Sequence, residues 1–239
     1  MILTLDIGNT RAKLTLFSAG EVVRHEAFAH AQAVDALRTW LTETPAITAL
    51  HWCSVGPELP ELETALRGLE IPIRRLLPTL PSADIRVEYH TPETLGADRL
   101  AAVLGARSLR PNENLLVVDA GTCITYDFLT ADGRYLGGNI SPGLAMRLDA
   151  MHHFTARLPR IATEGDVPAI GVSTETALRS GATLGIVHEI EGYCRQFQAE
   201  YGEVCVFLTG GNRFSFLISS EIRTFADDFL VARGLAALR

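Results

Sequence analysis

One short phrase occurs twice in this chain. Near the N-terminus, Ile2-Leu3-Thr4-Leu5-Asp6-Ile7-Gly8-Asn9-Thr10 runs on through Lys13 to Phe17. In mid-chain, Leu115-Leu116-Val117-Val118-Asp119-Ala120-Gly121-Thr122 runs on through Ile124 to Phe128. Each copy is an apolar strand that ends in Asp-x-Gly, then a Thr, then a second strand. Gly8 and Gly121 permit backbone angles that a Cβ forbids, and they let main-chain N–H groups approach an anion. Thr10 and Thr122 add hydroxyl donors. Asp6 and Asp119 repel phosphate, so each calls for a cation or an ordered water in between. Either copy alone reads equally well as a plain β-hairpin. Their recurrence points to a duplicated fold that grips a nucleotide from both sides.

The 239 residues are enough for one large core or two small ones, and 47% hydrophobic with 21% charged residues is an ordinary globular composition. Asp6 and Asp119 interrupt the longest apolar runs, so a membrane span is not expected. The N-terminus lacks a basic stretch and a small-residue cleavage site, which makes the cytoplasm the expected location. A formal charge of −7 argues against nucleic acid as a partner, and it requires any nucleotide to be held by local donors. The four cysteines, 53, 123, 194 and 205, form no Cys-x-x-Cys pair and read as buried free thiols. His152 and His153 are adjacent, do not share a helix face, and read as surface residues rather than a metal pair.

Periodicity predicts strands over Ile2–Phe17 with a turn between, and over Glu21–Phe28, Ile47–Val55 and Ile73–Leu77, with helices over Ala31–Leu41 and Glu58–Leu69. The rhythm then repeats. Strands are expected at Leu115–Ala120, Ile124–Leu129 and Gly133–Asn139, then a helix with Ser141 as N-cap and Pro142 as its first residue. A loop over Leu158–Val172, a helix over Thr174–Ala199, a strand over Val204–Leu208 and a last helix over Asp227–Leu238 follow. The segment Gly96–Arg110 reads as a helix linking two halves, and the expected domains are 1–112 and 113–239. The fold class is α/β: two similar domains with a nucleotide cleft between them.

The ordered set of Asp6-Ile7-Gly8-Asn9-Thr10, Gly96-Ala97-Asp98-Arg99, Asp119-Ala120-Gly121-Thr122, Gly137-Gly138, Pro142-Gly143, Ser173-Thr174 and Thr209-Gly210-Gly211-Asn212 resembles the type III pantothenate kinases. These belong to the acetate and sugar kinase/Hsp70/actin superfamily, with its duplicated actin-like (ribonuclease H-like) fold. Asp-x-Gly-x-Thr marks only the superfamily; Gly-Ala-Asp-Arg ahead of the second Asp-x-Gly-Thr singles out this branch. The resemblance implies ATP-dependent phosphorylation of pantothenate, the first step of coenzyme A biosynthesis, by a homodimer. It implies that Asp6, Ile7, Gly8, Asn9, Thr10, Arg11, Ala12 and Lys13 bind ATP phosphates, with Thr122 completing the nucleotide site. Asp98 would accept the proton. Tyr89, Gly96, Ala97, Asp98, Arg99 and Thr174 would hold pantothenate. Asp119 would bind potassium or ammonium, and Mg²⁺ would travel with the nucleotide.

The chemistry of the residues is compatible with these roles and with plainer ones. Asp98 at a helix start suits a base kept ionised by the helix dipole, or simply a cap. Arg99 offers a planar fork for a carboxylate or phosphate, or a surface ion pair. Tyr89 suits a gem-dimethyl group or a core strand. Lys13 would reach a phosphate or sit in solvent. The rival functions are another sugar or acetate kinase, a non-catalytic regulator of the same fold, and a phosphohydrolase that uses water in place of the alcohol.

Overall fold

The computed structural model describes residues 1–80, 85–211 and 218–238. Pro81, and Asn212 at the end of the Thr209–Asn212 turn, lie outside them. In chain order the elements are β1 (Ile2–Ile7), β2 (Ala12–Ser18), β3 (Glu21–Phe28), α1 (Ala33–Glu43), β4 (Ala49–Ser54), α2 (Pro60–Arg67), β5 (Ile73–Arg75), β6 (Arg86–Val87) and α3 (Ala97–Leu109). Then come β7 (Asn114–Ala120), β8 (Cys123–Leu129), β9 (Arg134–Pro142), α4 (Leu144–His153), α5 (Thr174–Tyr201), β10 (Val204–Thr209), β11 (Thr224–Ala226) and α6 (Leu230–Ala236).

The chain divides into two compact units, Met1–Arg110 with Phe229–Arg239, and Pro111–Asp228. In the first unit the strand order is β3-β2-β1-β4-β5. Strand β1 is antiparallel to β2 and parallel to β4, with Asp6 opposite Lys13 on one side and Cys53 on the other. In the second unit the order β9-β8-β7-β10-β11 repeats this arrangement. There Asp119 lies opposite Thr125 in antiparallel β8 and Thr209 in parallel β10. Even the ladder irregularity recurs, at Leu16/Phe17 in one unit and Phe128/Leu129 in the other. The repeated sequence phrase is therefore a repeated supersecondary unit.

Each sheet buries its own apolar layer. Leu3, Leu5 and Leu14 meet Leu37 and Trp40 of α1 and Leu62 and Leu66 of α2 in the first unit. Leu116, Val118 and Val206 meet Leu144 and Leu148 of α4 and Ile186 and Ile190 of α5 in the second. Every residue of β10 is buried, as expected of a strand flanked by β7 and β11.

Three sequence expectations need correction. Helix α3 does not link two halves: it packs within the first unit against α6, where Gly105 and Gly234 bring the two backbones together. The last segment thus belongs to the first unit instead of a 113–239 domain, and its helix begins at Leu230, not Asp227. Ser141 and Pro142 do not open α4, because β9 continues through them and pairs Pro142 with Cys123; Gly143 is the N-cap. Finally, Cys53, Cys194 and Cys205 are buried, whereas Cys123 is exposed at the edge of its turn.

Candidate functional site

In the first unit, β1 delivers Asp6 to the edge of the sheet, where it is 6% exposed. A buried carboxylate needs partners for both oxygens. Lys13 Nζ lies 3.2 Å from Oδ2, and the Cys53 thiol donates to Oδ1 at 3.7 Å. Burial, then the charges of Asp6 and Asp98, push the Cys53 thiol well above its ordinary pKa, so it remains a donor. Helix α3, which carries Asp98 in its first turn, packs against β4, which carries Cys53.

Asp98 sits in the first turn of α3, behind the N-cap Gly96, with Oδ1 accepting from Arg99 N at 2.8 Å. A Cβ at Gly96 would lie 2.6 Å from that oxygen, so a glycine leaves room for the carboxylate. Arg99 is buried, not a surface residue, and its guanidinium lies 5.9 Å from the centre of the Tyr89 ring. Tyr89 itself is half-buried beyond β6. Ala97 is buried under the turn.

The turn after β1 exposes Asn9, Thr10 and Arg11 and buries Ile7 and Ala12. Its closure is a Gly8 N–H donated to Arg11 O at 3.0 Å, and His30 Nε2 donates to Gly8 O at 3.0 Å. Gly8 is not in the left-handed region, and a Cβ on it would meet only Arg11 O at 3.4 Å. Gly121 is likewise unconstrained, its N–H spent on Cys123 O at 3.0 Å. The expected need for these two glycines is therefore not found at the glycines themselves. It lies in what crosses them. A Cβ at Gly56 would fall 2.3 Å from Gly8 O, and one at Gly143 would fall 2.4 Å from both Gly121 O and Thr122 O. Gly56 was legible only as a strand-ending Gly-Pro; the close approach that makes it necessary has no local sequence signal.

In the second unit, Asp119 is half-buried and Thr122 exposed. Gly210, with φ of +88°, passes so close that a Cβ would lie 2.5 Å from Asp119 Oδ1 and 2.6 Å from Ala120 O. A strand-end carboxylate, a main-chain carbonyl and a glycine thus share one cradle. An oxygen-only set of this kind suits a hard cation. Behind the turn, Glu189 of α5 accepts from Arg147 Nη2 and Tyr126 Oη at 2.7 Å and from Ser141 Oγ at 2.9 Å. Burial pushes the Glu189 carboxyl up, but these donors more than reverse it and hold it below its ordinary value. Arg147 Nε also donates to Pro142 O, tying α4 to the end of β9. No sequence pattern connects these four residues. Thr174 is exposed at the start of α5, where Ser173 Oγ caps Thr176 N. His152 and His153 are exposed, as expected.

The chain shares its fold with solved structures. A Campylobacter jejuni protein assigned to the Baf family of transcriptional activators matches with a TM-score of 0.63 at 22% identity, over 98% of this chain and 95% of that one. The activator of 2-hydroxyisocaproyl-CoA dehydratase from Clostridium difficile, solved with bound ADPNP, matches with a TM-score of 0.55 at 12% identity, over 98% and 92%. Likeness at these identities defines the fold alone: two α/β units of one topology, the duplicated actin-like class. Sequence likeness is closer. A Type III pantothenate kinase from Phocaeicola vulgatus is 44% identical over 246 residues, covering 98% of this chain and 96% of its own. One from Porphyromonas gingivalis strain W83 is 40% identical over 238 residues, covering 98% and 95%. The family profile described as Type III pantothenate kinase matches residues 2–196, and the chain belongs to that family.

Proposed function

We propose that this protein transfers the γ-phosphoryl group of ATP to the primary hydroxyl of pantothenate, giving 4'-phosphopantothenate, the first step of coenzyme A biosynthesis. One observation carries the reading beyond family membership. The Gly96–Arg99 element holds Asp98 in the first turn of α3, and α3 packs on β4, whose Cys53 thiol donates to Asp6. A base and a strand-end phosphate turn in one neighbourhood are what phosphoryl transfer to an alcohol requires.

In this reading Asp98 accepts the hydroxyl proton as the oxygen bonds to phosphorus. The 6–13 turn and Thr122 receive the ATP phosphates, with Lys13 shared between Asp6 and the nucleotide. Tyr89, Gly96, Ala97, Arg99 and Thr174 hold pantothenate, the Arg99 fork suiting its carboxylate. Asp119 holds potassium or ammonium. The ladder position that carries Lys13 opposite Asp6 carries Thr125 opposite Asp119. A monovalent ion at Asp119 and Mg²⁺ on the nucleotide neutralise phosphate charge. The enzyme acts as a homodimer in the cytoplasm. Phe154 at the end of α4 and Ile170 and Val172 just before α5 are 80–90% exposed, apolar side chains that a second copy would cover. Among the described residues, no helix is long and apolar enough to cross a membrane.

The test is ATP consumption with and without pantothenate. Turnover that depends on pantothenate and yields a phosphate ester is expected. ATP hydrolysis indifferent to pantothenate would replace the reading with a phosphohydrolase, and turnover only with sugars or acetate would replace it with another kinase.

A further inference from the structure

Between α4 and α5 the chain runs without helix or strand, yet one buried side chain pins it down. Arg179 of α5 is 3% exposed. Its Nε donates to Ala162 O at 3.2 Å, its Nη1 to Asp166 O at 3.4 Å and its Nη2 to Glu175 Oε1 at 2.6 Å. Gly165 lies flat on the guanidinium with φ of +130°, where a Cβ would sit 2.7 Å from Cζ. A second fastening lies further along. Val172 N and Ser173 N both donate to Thr176 Oγ1, at 3.1 and 3.0 Å, and a Cβ at Gly171 would fall 2.3 Å from Ala177 Cα. Thr174, exposed, lies within the second fastening and next to Glu175, which Arg179 holds.

Burying a guanidinium is costly unless its donors are used, and an apolar side chain packs a helix face at lower cost. What an arginine supplies at this position is direction. Its fork reaches two main-chain carbonyls of the strap and the carboxylate beside Thr174 at once.

We propose that Arg179 is a positioning residue for the acceptor substrate: by clamping the 162–166 strap and Glu175 it fixes the wall around Thr174 against which a hydroxy-acid amide such as pantothenate binds. The inference rests on the reading of Thr174 given above. It deepens that reading by adding to the acceptor side a residue whose hydrogen bonds go to Ala162, Asp166 and Glu175.

The experiment compares Arg179→Met, Arg179→Lys, Gly165→Ala and Thr174→Val in the full-length protein. Arg179→Met should raise KM for pantothenate on the order of 10-fold or more, the scale of a misplaced binding group. KM for MgATP and kcat should stay within about two-fold of wild type. Lysine keeps the charge but cannot serve all three acceptors, so Arg179→Lys should fall in between. Gly165→Ala should shift KM in the same direction, and adding it to Arg179→Met should change little further. Trypsin offers a readout independent of activity. Arg157 and Arg160 are exposed on the strap, and cleavage there should accelerate in Arg179→Met and Gly165→Ala. Equal changes in both KM values, or an unchanged pantothenate KM in a folded Arg179→Met or Gly165→Ala protein, would overturn the proposal. If Arg179→Met does not fold, the single methyl of Gly165→Ala decides. A Thr174→Val protein with normal pantothenate KM, beside a selective Arg179 effect, would remove Thr174 from the site and leave the clamp standing.

Discussion

Replacing Gly105 by alanine sets two effects against each other. Alanine is the better helix former by about 1 kcal/mol, so propensity alone predicts a more stable α3. The crossing predicts the reverse. A Cβ at Gly105 would lie 2.0 Å from Leu230 O, and one at Gly234 would lie 1.8 Å from Ala101 O. Carbon–oxygen contacts settle near about 3.3 Å, so the helices would have to part by roughly 1 Å. The obstruction is a main-chain carbonyl, which has no rotamer to move to. Overpacking of this kind costs about 1–3 kcal/mol, and the parted helices also lose dispersion contacts along their length. Net of the propensity gain, Gly105→Ala should destabilise the first unit by about 1–2 kcal/mol, a Tm fall of about 2–8 °C for a chain of this size. Both tryptophans, Trp40 and Trp52, lie in that unit, so selectively excited tryptophan fluorescence follows its unfolding without tyrosine signal from the other. The Gly105→Ala/Gly234→Ala protein should lose less than the two single losses combined, because helices already parted accommodate the second methyl. A Trp-detected Tm equal to or above wild type would refute the steric reasoning.

Asp98→Asn keeps the shape and removes the proton acceptor; turnover should fall on the order of 10²-fold or more with ATP still bound, and near-normal turnover would end its assignment as the base. Activity should be weak in sodium or bulky organic cations at constant ionic strength and restored by potassium or ammonium, and Asp119→Asn should blunt that response; equal wild-type rates in all salts would remove the cation role. Light scattering should give a mass near twice 26.0 kDa, and an active monomer would contradict the dimer. His51, buried with Nδ1 donating to Leu235 O at 2.7 Å, has its pKa lowered chiefly by burial. Its neutral form is favoured in the fold. Its contribution is therefore complete above the ordinary histidine value of about 6.5 and is lost as pH falls below it. The decline in Tm from neutral to acid pH should be shallower in His51→Asn, which keeps the donor, and an unchanged slope would discharge His51.

The strand-end carboxylates were readable because apolar strands announce themselves and an acid within them does not belong there unless something needs it. Their surroundings were not readable. Cys53 reaches Asp6 through the parallel register of β1 and β4, which no local window contains. The same holds for Glu189, brought to Ser141 and Arg147 by the docking of α5. Strand β11 spans only Thr224–Ala226, too short for alternation to register. The unit that α6 joins depends on a glycine pair far apart in the chain, Gly105 and Gly234. Gly8 and Gly121 were noticed for the right turns, but the steric demand belongs to Gly56 and Gly143, which cross them.

The return of α6 to the first unit has a consequence for how the protein is made. Residues 1–110 emerge from the ribosome first, yet Gly105 acquires its partner only when Gly234 has been synthesised and released. The second unit is a single uninterrupted segment and can complete its sheet earlier. The order of birth and the order of completion are therefore reversed. Until α6 arrives, the face of α3 that carries Gly105 lacks its covering helix.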